Sequence, residues 1–384
     1  MHICIVSQQL KNVYSGIGLH ATNLITALAK ENHSVTILVP ESQKINIASP
    51  QKLFTVKDVK TIQSQARWII YSLRFSNALK LLEQNNSFDV VHFTDVRDSF
   101  FCKQKSKWVG NINDTYSSEV KSLRFYKQYY FDYFKRWAYY HLVHQIEKRK
   151  LPTINGIITN STFTQANISK TYQIPHSKLF LCYKSVDYAR YSEIAKKNLE
   201  KNEKPFDHQI LFVGGNMQRK GILDLIKAIS LLRTTFPTIK VNVAGKDKLI
   251  PKYKEICQSS GVASNFHFLG WVSQNDLLHL YEKASMFVMP SITEAFGVVF
   301  LEAMSAGVPV IGTKVGGIPE IINHKENGLL VPKNSPSDLA NAIRLVFDNQ
   351  GLSHSMSIKG LNTAKTFSVE NMMKCTYEIY KSIV

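Results

Sequence analysis

The sequence predicts an α/β protein of two doubly wound, Rossmann-like domains facing a central cleft. Three observations carry that expectation. Short apolar, β-branched runs alternate with helical apolar patterns, as in parallel strands joined by crossover helices. Polar residues gather where those runs end, as at the carboxyl edge of an open sheet. A charge-rich stretch with no sustained apolar period, "YKSVDYARYSEIAKKNLEKNEKPFDH", separates a first series of runs from a second.

The first series opens with "HICIV" as a strand, then a glycine-containing loop, "YSGIGLH". A helix follows in "LHATNLITALAK", where Leu19, Leu24, Ala27 and Leu28 fall near helical spacing. "HSVTILV", "FDVVHF", "KWVGNI" and "INGIITNS" supply further strands. His92 in "FDVVHF" reads equally as a packed histidine or a site residue. In the second series "HQILFVGG", "TIKVNVAGK", "NFHFLGWV", "ASMFVMP", "VPVIGT" and "GLLV" read as strands. A terminal amphipathic helix is expected in "FSVENMMKCTYEIYKSIV", with Ser368 as N-cap and Val369, Met373, Tyr377, Tyr380 and Val384 on its apolar side. The expected domains are residues 1–185, 186–366, and a helix in 367–384 that crosses back to the first domain.

With 384 residues, 44% of them hydrophobic, the chain can bury two large cores. It has no apolar run of membrane-spanning length, and "MHICIVSQQL" lacks the basic start of a secretory leader. Cys4, Cys102, Cys182, Cys257 and Cys375 are scattered and odd in number, which suits reduced thiols in the cytoplasm rather than disulfides or zinc. The net charge of +18 attracts phosphate-rich partners of any kind: nucleic acid, anionic lipid or nucleotide.

Three stretches carry chemistry. In "PSITEAFGVVFLEAMSAGVPVI" a helix starting near Gly297 or Val298 would put Glu294 just before it and Glu302 in its second turn. Side chains lean toward a helix N-terminus, so both carboxylates would reach the same end, whose free N–H groups suit phosphate. Carboxylates there would accept bonds from sugar hydroxyls; acidic residues placed only to suit the helix dipole fit as well. In "LFVGGNMQRKGILDLIKAI" a strand ends at Gly214-Gly215 and Arg219 and Lys220 precede a helix opened by Gly221. Bare backbone and fixed cations suit a phosphate, although an exposed basic turn is the plainer reading. The P-loop spacing is absent, which disfavours nucleoside triphosphate hydrolysis. In "VYSGIGLHATN" Gly16 and Gly18 lack the third glycine of the dinucleotide fingerprint, so a nicotinamide cofactor is disfavoured.

Together these stretches resemble the retaining, nucleotide-sugar-dependent glycosyltransferases of the GT-B fold, the large group 1 or family four type that includes lipopolysaccharide-core and phosphatidylinositol sugar transferases. The likeness runs through "FDVVHFTD", "GIITNSTFTQANI", "VDYARY", "VGGNMQRKG", "FLGWVSQNDLLHLYEKASMFVMPSITEAFGVVFLEAMSAGVPVIGTKVGGIPEII" and "NGLLVP". It implies transfer of a sugar from a nucleotide diphosphate to a saccharide or lipid-linked saccharide acceptor with retention, without a metal ion or other cofactor, the domain of residues 1–185 lying on the acceptor side and that of residues 186–366 binding the nucleotide sugar. Glu294 would meet donor-sugar hydroxyls, the backbone at Phe296, Gly297 and Val298 would meet sugar and phosphate, and Glu302 would bind the ribose. Lys220 and Arg219 would hold the diphosphate with Gly214 and Gly215, Gly16 and Gly18 would bring bare backbone to the donor, and Val272 would border the base. Glu294→Gln and Lys220→Ala are expected to lower transfer strongly while leaving thermal unfolding nearly unchanged.

The chain departs from this group at Gly215, where an arginine is usual, and at Asn113-Asp114, where many relatives carry a histidine. Asn113 cannot act as a base at neutral pH, which leaves Asp114 as the candidate to touch donor or acceptor. These departures keep an inactive, donor-binding scaffold in view, and a sugar-nucleotide epimerase is a further alternative. Residues 121–150 hold eight Lys or Arg, two acidic residues and ten aromatics. They suit a helix on an anionic membrane at the inner face of the cell, or one whose aromatics pack on the sheet. Nucleic-acid binding would explain the charge, but no helix-turn-helix, RNP or zinc pattern accompanies it.

Overall fold

The computed structural model describes residues 1–10, 16–31, 33–43, 52–58, 67–113, 130–201 and 208–384. They divide into two compact units, Met1–Ser185 with Val369–Val384, and Val186–Ser368. The first unit contains β1 (His2–Val6), α1 (Gly16–Lys30), β2 (Ser34–Pro40), β3 (Lys52–Val56), α2 (Arg67–Asn85), β4 (Val90–Phe93) and β5 (Lys107–Ile112). It continues with α3 (Tyr130–Lys150), β6 (Gly156–Thr159), α4 (Thr162–Tyr172) and β7 (Leu179–Leu181). The second contains α5 (Ser192–Lys201), β8 (Gln209–Val213), α6 (Ile222–Leu232), β9 (Lys240–Ala244), α7 (Ile250–Ser259), β10 (Phe266–Gly270) and α8 (Gln274–Lys283). After these come β11 (Met286–Val288), α9 (Val298–Ser305), β12 (Val310–Thr313), β13 (Leu329–Val331), α10 (Pro336–Asp348) and α11 (Gln350–Thr366). The last helix, α12 (Val369–Ile383), packs with the first unit.

The strand orders are β3-β2-β1-β4-β5-β6-β7 and β10-β9-β8-β11-β12-β13, and the pairings are parallel. A parallel sheet covered by helices on both faces needs apolar side chains on both sides of each central strand. β1 meets that need with Ile3, Cys4, Ile5 and Val6, all fully buried. Side chains alternate across a strand. Ile3 and Ile5 therefore enter a core with Leu24 and Leu28 of α1 and Met372 and Tyr380 of α12. Cys4 and Val6 enter another with Phe75 and Leu79 of α2 and Val143 of α3.

The structure corrects several sequence expectations. The helix α1 already includes Gly16 and Gly18, which were expected in a loop. β3 and β7 were not anticipated: only Val56 of β3 is buried, and β7 has three residues. α5 forms inside the stretch read as lacking a helical period. Its inner face includes a polar residue, Asn198, beside Ile194 and Ala195, and the Asn198 amide donates to the carbonyls of Tyr281 (3.0 Å) and Ala306 (2.9 Å). An apolar pattern cannot register a face completed by an amide. In α12 the buried residues are Met372, Met373, Thr376, Ile379 and Tyr380, whereas Val384 is exposed. The five cysteines are free thiols.

His92 proves to be a packed histidine. It is fully buried on β4, its Nε2 donating to Asn111 Oδ1 at 2.9 Å and its Nδ1 facing the Tyr380 hydroxyl at 2.5 Å. That pairing fits a neutral ring accepting the Tyr380 proton, and burial lowers the His92 pKa to about 4. The network ties α12 to the centre of the first sheet. Tyr380→Ala, which leaves a large cavity, should cost about 3–5 kcal/mol of the first unit's stability. Tyr380→Phe, which removes only the hydroxyl, should cost about 1 kcal/mol. Urea unfolding followed by circular dichroism would measure both; equal costs would contradict the packing role of the ring.

Candidate active site

In an open parallel sheet the crevice for ligands opens where successive connections leave in opposite directions. In the second unit that point lies between the carboxyl ends of β8 and β11, and the loops that follow these two strands build the site.

The loop after β8 turns at Gly214 and ends at Gly221, the N-cap of α6. Gly221 has φ +83°, and a Cβ there would lie 1.9 Å from the Pro290 carbonyl oxygen, so only glycine lets the loop after β11 come this close. The two loops are then stitched together. The Ile292 amide donates to the Arg219 carbonyl at 2.9 Å, and Arg219 Nη1 donates to the Thr293 carbonyl at 2.9 Å. Lys220 Nζ forms an ion pair with Glu294 Oε2, and Arg219 Nη1 stands 3.9 Å from the same oxygen. Lys220 and Glu294 are both buried.

A third loop fixes Glu294 from behind. The Gly317 amide donates to its carbonyl at 3.1 Å, and a Cβ on Gly316, whose φ is +57°, would lie 1.7 Å from that same oxygen. Gly297 is the N-cap of α9 and provides no side-chain bond to the helix's first amides. An eight-residue helix thus begins beside two cations and a carboxylate. Phe296 is buried against Phe367, ring centres 5.7 Å apart, so its side chain is part of the core and Val298 opens the helix.

Glu302 is held differently. The Tyr281 hydroxyl donates to its Oε2 at 3.0 Å, and burial raises its pKa to about 7 even though that bond and Arg190 act the other way. The two glutamates expected at one helix end therefore have separate partners, Lys220 for Glu294 and Tyr281 for Glu302. The ion pair also corrects the expected stability of the variants. Removing Lys220 strands a buried carboxylate, a change that costs on the order of 3 kcal/mol.

On the far side of β8, Asp247 accepts from the Met217 and Leu249 amides at 2.7 and 2.9 Å, bracing the Gly214–Gly221 loop. The Gly245 amide reaches the Gly270 carbonyl at 2.7 Å, and beyond it Trp271 is 52% exposed with Lys246 Nζ 6.0 Å above its ring. Val272 follows, half-buried, and Gly215 is exposed. Gly316, Gly317, Tyr281 and Asp247 were not identified from sequence. The "VGG" before "IPEII" hinted at the first two; nothing in the chain marks the tyrosine or the aspartate.

In the first unit, Asn113 follows β5, its carbonyl accepting from Asn160 at 3.2 Å. Asp114 lies outside the described residues. Gly16 and Gly18 open α1, where the Gly18 carbonyl accepts from the Thr22 hydroxyl at 3.0 Å. Among the described residues no group of three His, Cys, Asp or Glu side chains could hold a metal ion, and no helix is long and apolar enough to cross a membrane.

Comparisons with known proteins match both halves. Residues 14–190 match the model described as Glycosyltransferase Family 4, and residues 192–363 the model described as Glycosyl transferases group 1. An uncharacterized glycosyltransferase of Methanocaldococcus jannaschii is 25% identical over 96% of this chain and 95% of its own length. The O-antigen chain mannosyltransferase B of Escherichia coli is 30% identical over 59% of this chain and 60% of its own. HepE of Anabaena, solved with UDP and glucose, superposes over the whole of both chains with a TM-score of 0.70 and 18% identity. Two parallel α/β units with these neighbours are the GT-B fold.

The raised Glu302 pKa fixes a pH dependence. Between its ordinary value near 4.5 and about 7 the folded chain keeps a proton that the unfolded chain has lost. The stability it contributes is therefore present below pH 4.5 and falls as pH rises to 7. Glu302→Gln, neutral throughout, should flatten that slope and be at least as stable as the wild type at pH 8. Urea titrations at pH 5, 6.5 and 8 would check this; an unchanged slope would contradict the assignment.

Proposed function

The chain belongs to the family four, group 1 glycosyltransferases, and on that premise we propose that it moves a hexose-type sugar from a nucleoside-diphosphate donor to an acceptor hydroxyl with retention of anomeric configuration. The observation that supports this reading is the Arg219–Lys220–Glu294 cluster beside the uncapped start of α9 at the carboxyl ends of β8 and β11. HepE, with UDP and glucose bound, is a precedent for such a donor in this fold.

In the donor complex Lys220 and Arg219 hold the diphosphate, and the start of α9 adds its dipole. Glu294 exchanges Lys220 for sugar hydroxyls, Glu302 accepts from the ribose, and Trp271 and Val272 border the base. The acceptor hydroxyl attacks on the face that the phosphate leaves. The bond from the anomeric carbon to the phosphate oxygen breaks with its electrons going to the phosphate, which takes the acceptor's proton. No protein nucleophile takes part, and the two cations supply the charge stabilisation that a divalent ion supplies in other transferases. The acceptor belongs to cell-surface polysaccharide or lipopolysaccharide assembly, a reading supported by the O-antigen mannosyltransferase. Five free thiols suit a reducing, cytoplasmic compartment.

Membrane docking through α3 is part of the same proposal. Tyr140, Val143 and Glu147 are its buried face, whereas Phe134, Trp137 and Leu142 are exposed and Lys148, Arg149 and Lys150 end it. Phe134 stacks on Trp137, and Trp137 meets His141 at a tilt, ring centres 5.9 and 4.3 Å apart, forming one outward aromatic stripe. Such a face suits the headgroup region of an anionic bilayer.

Two experiments test these readings. A thermal-shift panel of UDP, GDP, ADP and their sugar conjugates in EDTA should show stabilisation by one base series. Arg219→Ala should weaken that stabilisation, and Lys220→Ala should reduce turnover of the same donor at least a hundredfold. Binding with no turnover for any acceptor would favour the scaffold reading, and no nucleotide binding would overturn the donor site. The chain should float with phosphatidylglycerol-containing vesicles and not with pure phosphatidylcholine. Phe134→Ser with Trp137→Ser should abolish flotation; flotation of that variant would remove α3 from the membrane proposal.

A further inference from the structure

Two of the five thiols meet where α12 packs on the first unit's sheet. Cys182 directly follows β7 and is buried, whereas Cys375 lies in α12 and is partly exposed. Met372, Cys375 and Thr376 have the i, i+3 and i+4 spacing of one helix face, and that face lies against the end of β7.

Each thiol is held by the other's neighbours. The Cys375 thiol donates to the Leu181 carbonyl at 3.2 Å, and Cys182 Sγ lies 3.5 Å from the Met372 carbonyl oxygen and 3.6 Å from Thr376 Oγ1. These contacts span 190 and 194 positions of the chain. Leu181 adjoins Cys182 and Thr376 adjoins Cys375, so the sulfurs lie side by side, and a hydrogen bond joins them.

That bond divides the pair's chemistry. It stabilises the Cys375 thiolate, which brings this thiol below its ordinary pKa, and together with burial it holds Cys182 well above. Burial raises the other three, Cys257 to about 11, Cys102 to about 12 and Cys4 further still. Oxidants attack the thiolate, and only where they can reach it. Cys375 meets both conditions.

The position of the pair gives a bond between them a consequence. The chain passes between the two units at Ser185–Val186 and returns at Ser368–Val369, and Cys182 and Cys375 lie just outside these passages, within the first unit. A link between them closes a loop that contains the entire second unit. It also fastens α12, which carries Tyr380 to His92, to the end of β7.

We propose that Cys182 and Cys375 are a reversible redox pair, oxidised to a disulfide by a peroxide. The Cys375 thiolate attacks one peroxide oxygen, the O–O bond breaks, and the leaving hydroxide takes up the proton that Cys375 had released. The Cys182 sulfur then attacks the sulfur of the Cys375 sulfenic acid, and its own proton departs with the expelled hydroxide as a second water. Two thiols lose two electrons to the peroxide, and a dithiol reductant reverses the bond by exchange.

Treating the full chain with a molar excess of hydrogen peroxide tests this. Thiols titrated in denaturant should fall from five to three and return to five with dithiothreitol, and non-reducing peptide mass spectrometry should find Cys182 joined to Cys375. In Cys375→Ser the remaining thiols should survive the same dose, and in Cys182→Ser dimedone should trap Cys375 as the sulfenic acid. The oxidised wild type should unfold at higher urea than the reduced chain, because the closed loop restricts the unfolded state. Survival of all five thiols, a link between another pair such as Cys4 and Cys102, or oxidation of Cys375 beyond the sulfenic acid without a link would overturn the proposal. The peptide map is read on the wild type, so it decides the matter even if a variant misfolds. A linked chain with an unchanged urea midpoint would contradict the fastening of α12.

Discussion

The ion pair between Lys220 and Glu294 is the constraint around which the second unit's site is arranged. Buried pairs are seldom strong contributors to stability, because desolvation offsets much of their attraction. This one also demands close backbone approaches that only glycine permits, at Gly221 against Pro290 and at Gly316 against Glu294. A fold seeking only stability has simpler ways to join a strand to a helix. The arrangement makes sense if the pair holds two groups ready for a ligand with an anion for the lysine and hydroxyls for the glutamate, as the proposed nucleotide sugar has.

The same topology recurs in both units. Both sheets reverse their winding order beside their first strand, so each has a crevice at its carboxyl edge. In the second unit the residues around that crevice are cations, a carboxylate and a helix start. In the first unit they include Arg67, Arg97 and Asp95 beside Asp98, whose carboxyl is held well above the usual carboxylate range by burial.

Much of this was legible in the chain. Fully buried parallel strands read as unbroken apolar runs, so "HICIV" and "HQILFV" were identifiable, and the stretches around Gly214–Lys220 and Glu294–Glu302 supplied Arg219, Lys220 and Glu294, which the structure brings together. What stayed hidden follows from how the signal arises. β3 keeps one residue inside, β7 is three residues long, and α5 completes its inner face with Asn198. Tyr281 reaches Glu302 from a helix 21 positions earlier in the chain. Tertiary convergence of that kind leaves no local spacing to read. His92 was ambiguous because only the fold reveals Tyr380 beside it.

The most direct test of the donor site is a crystal structure of the chain with the nucleoside diphosphate that stabilises it most. The ligand's phosphates should lie on Lys220 and Arg219 at the start of α9, with Glu294 released from Lys220. A nucleotide bound elsewhere, or bound with the Lys220–Glu294 pair intact, would contradict the assignment of these residues to the transfer chemistry.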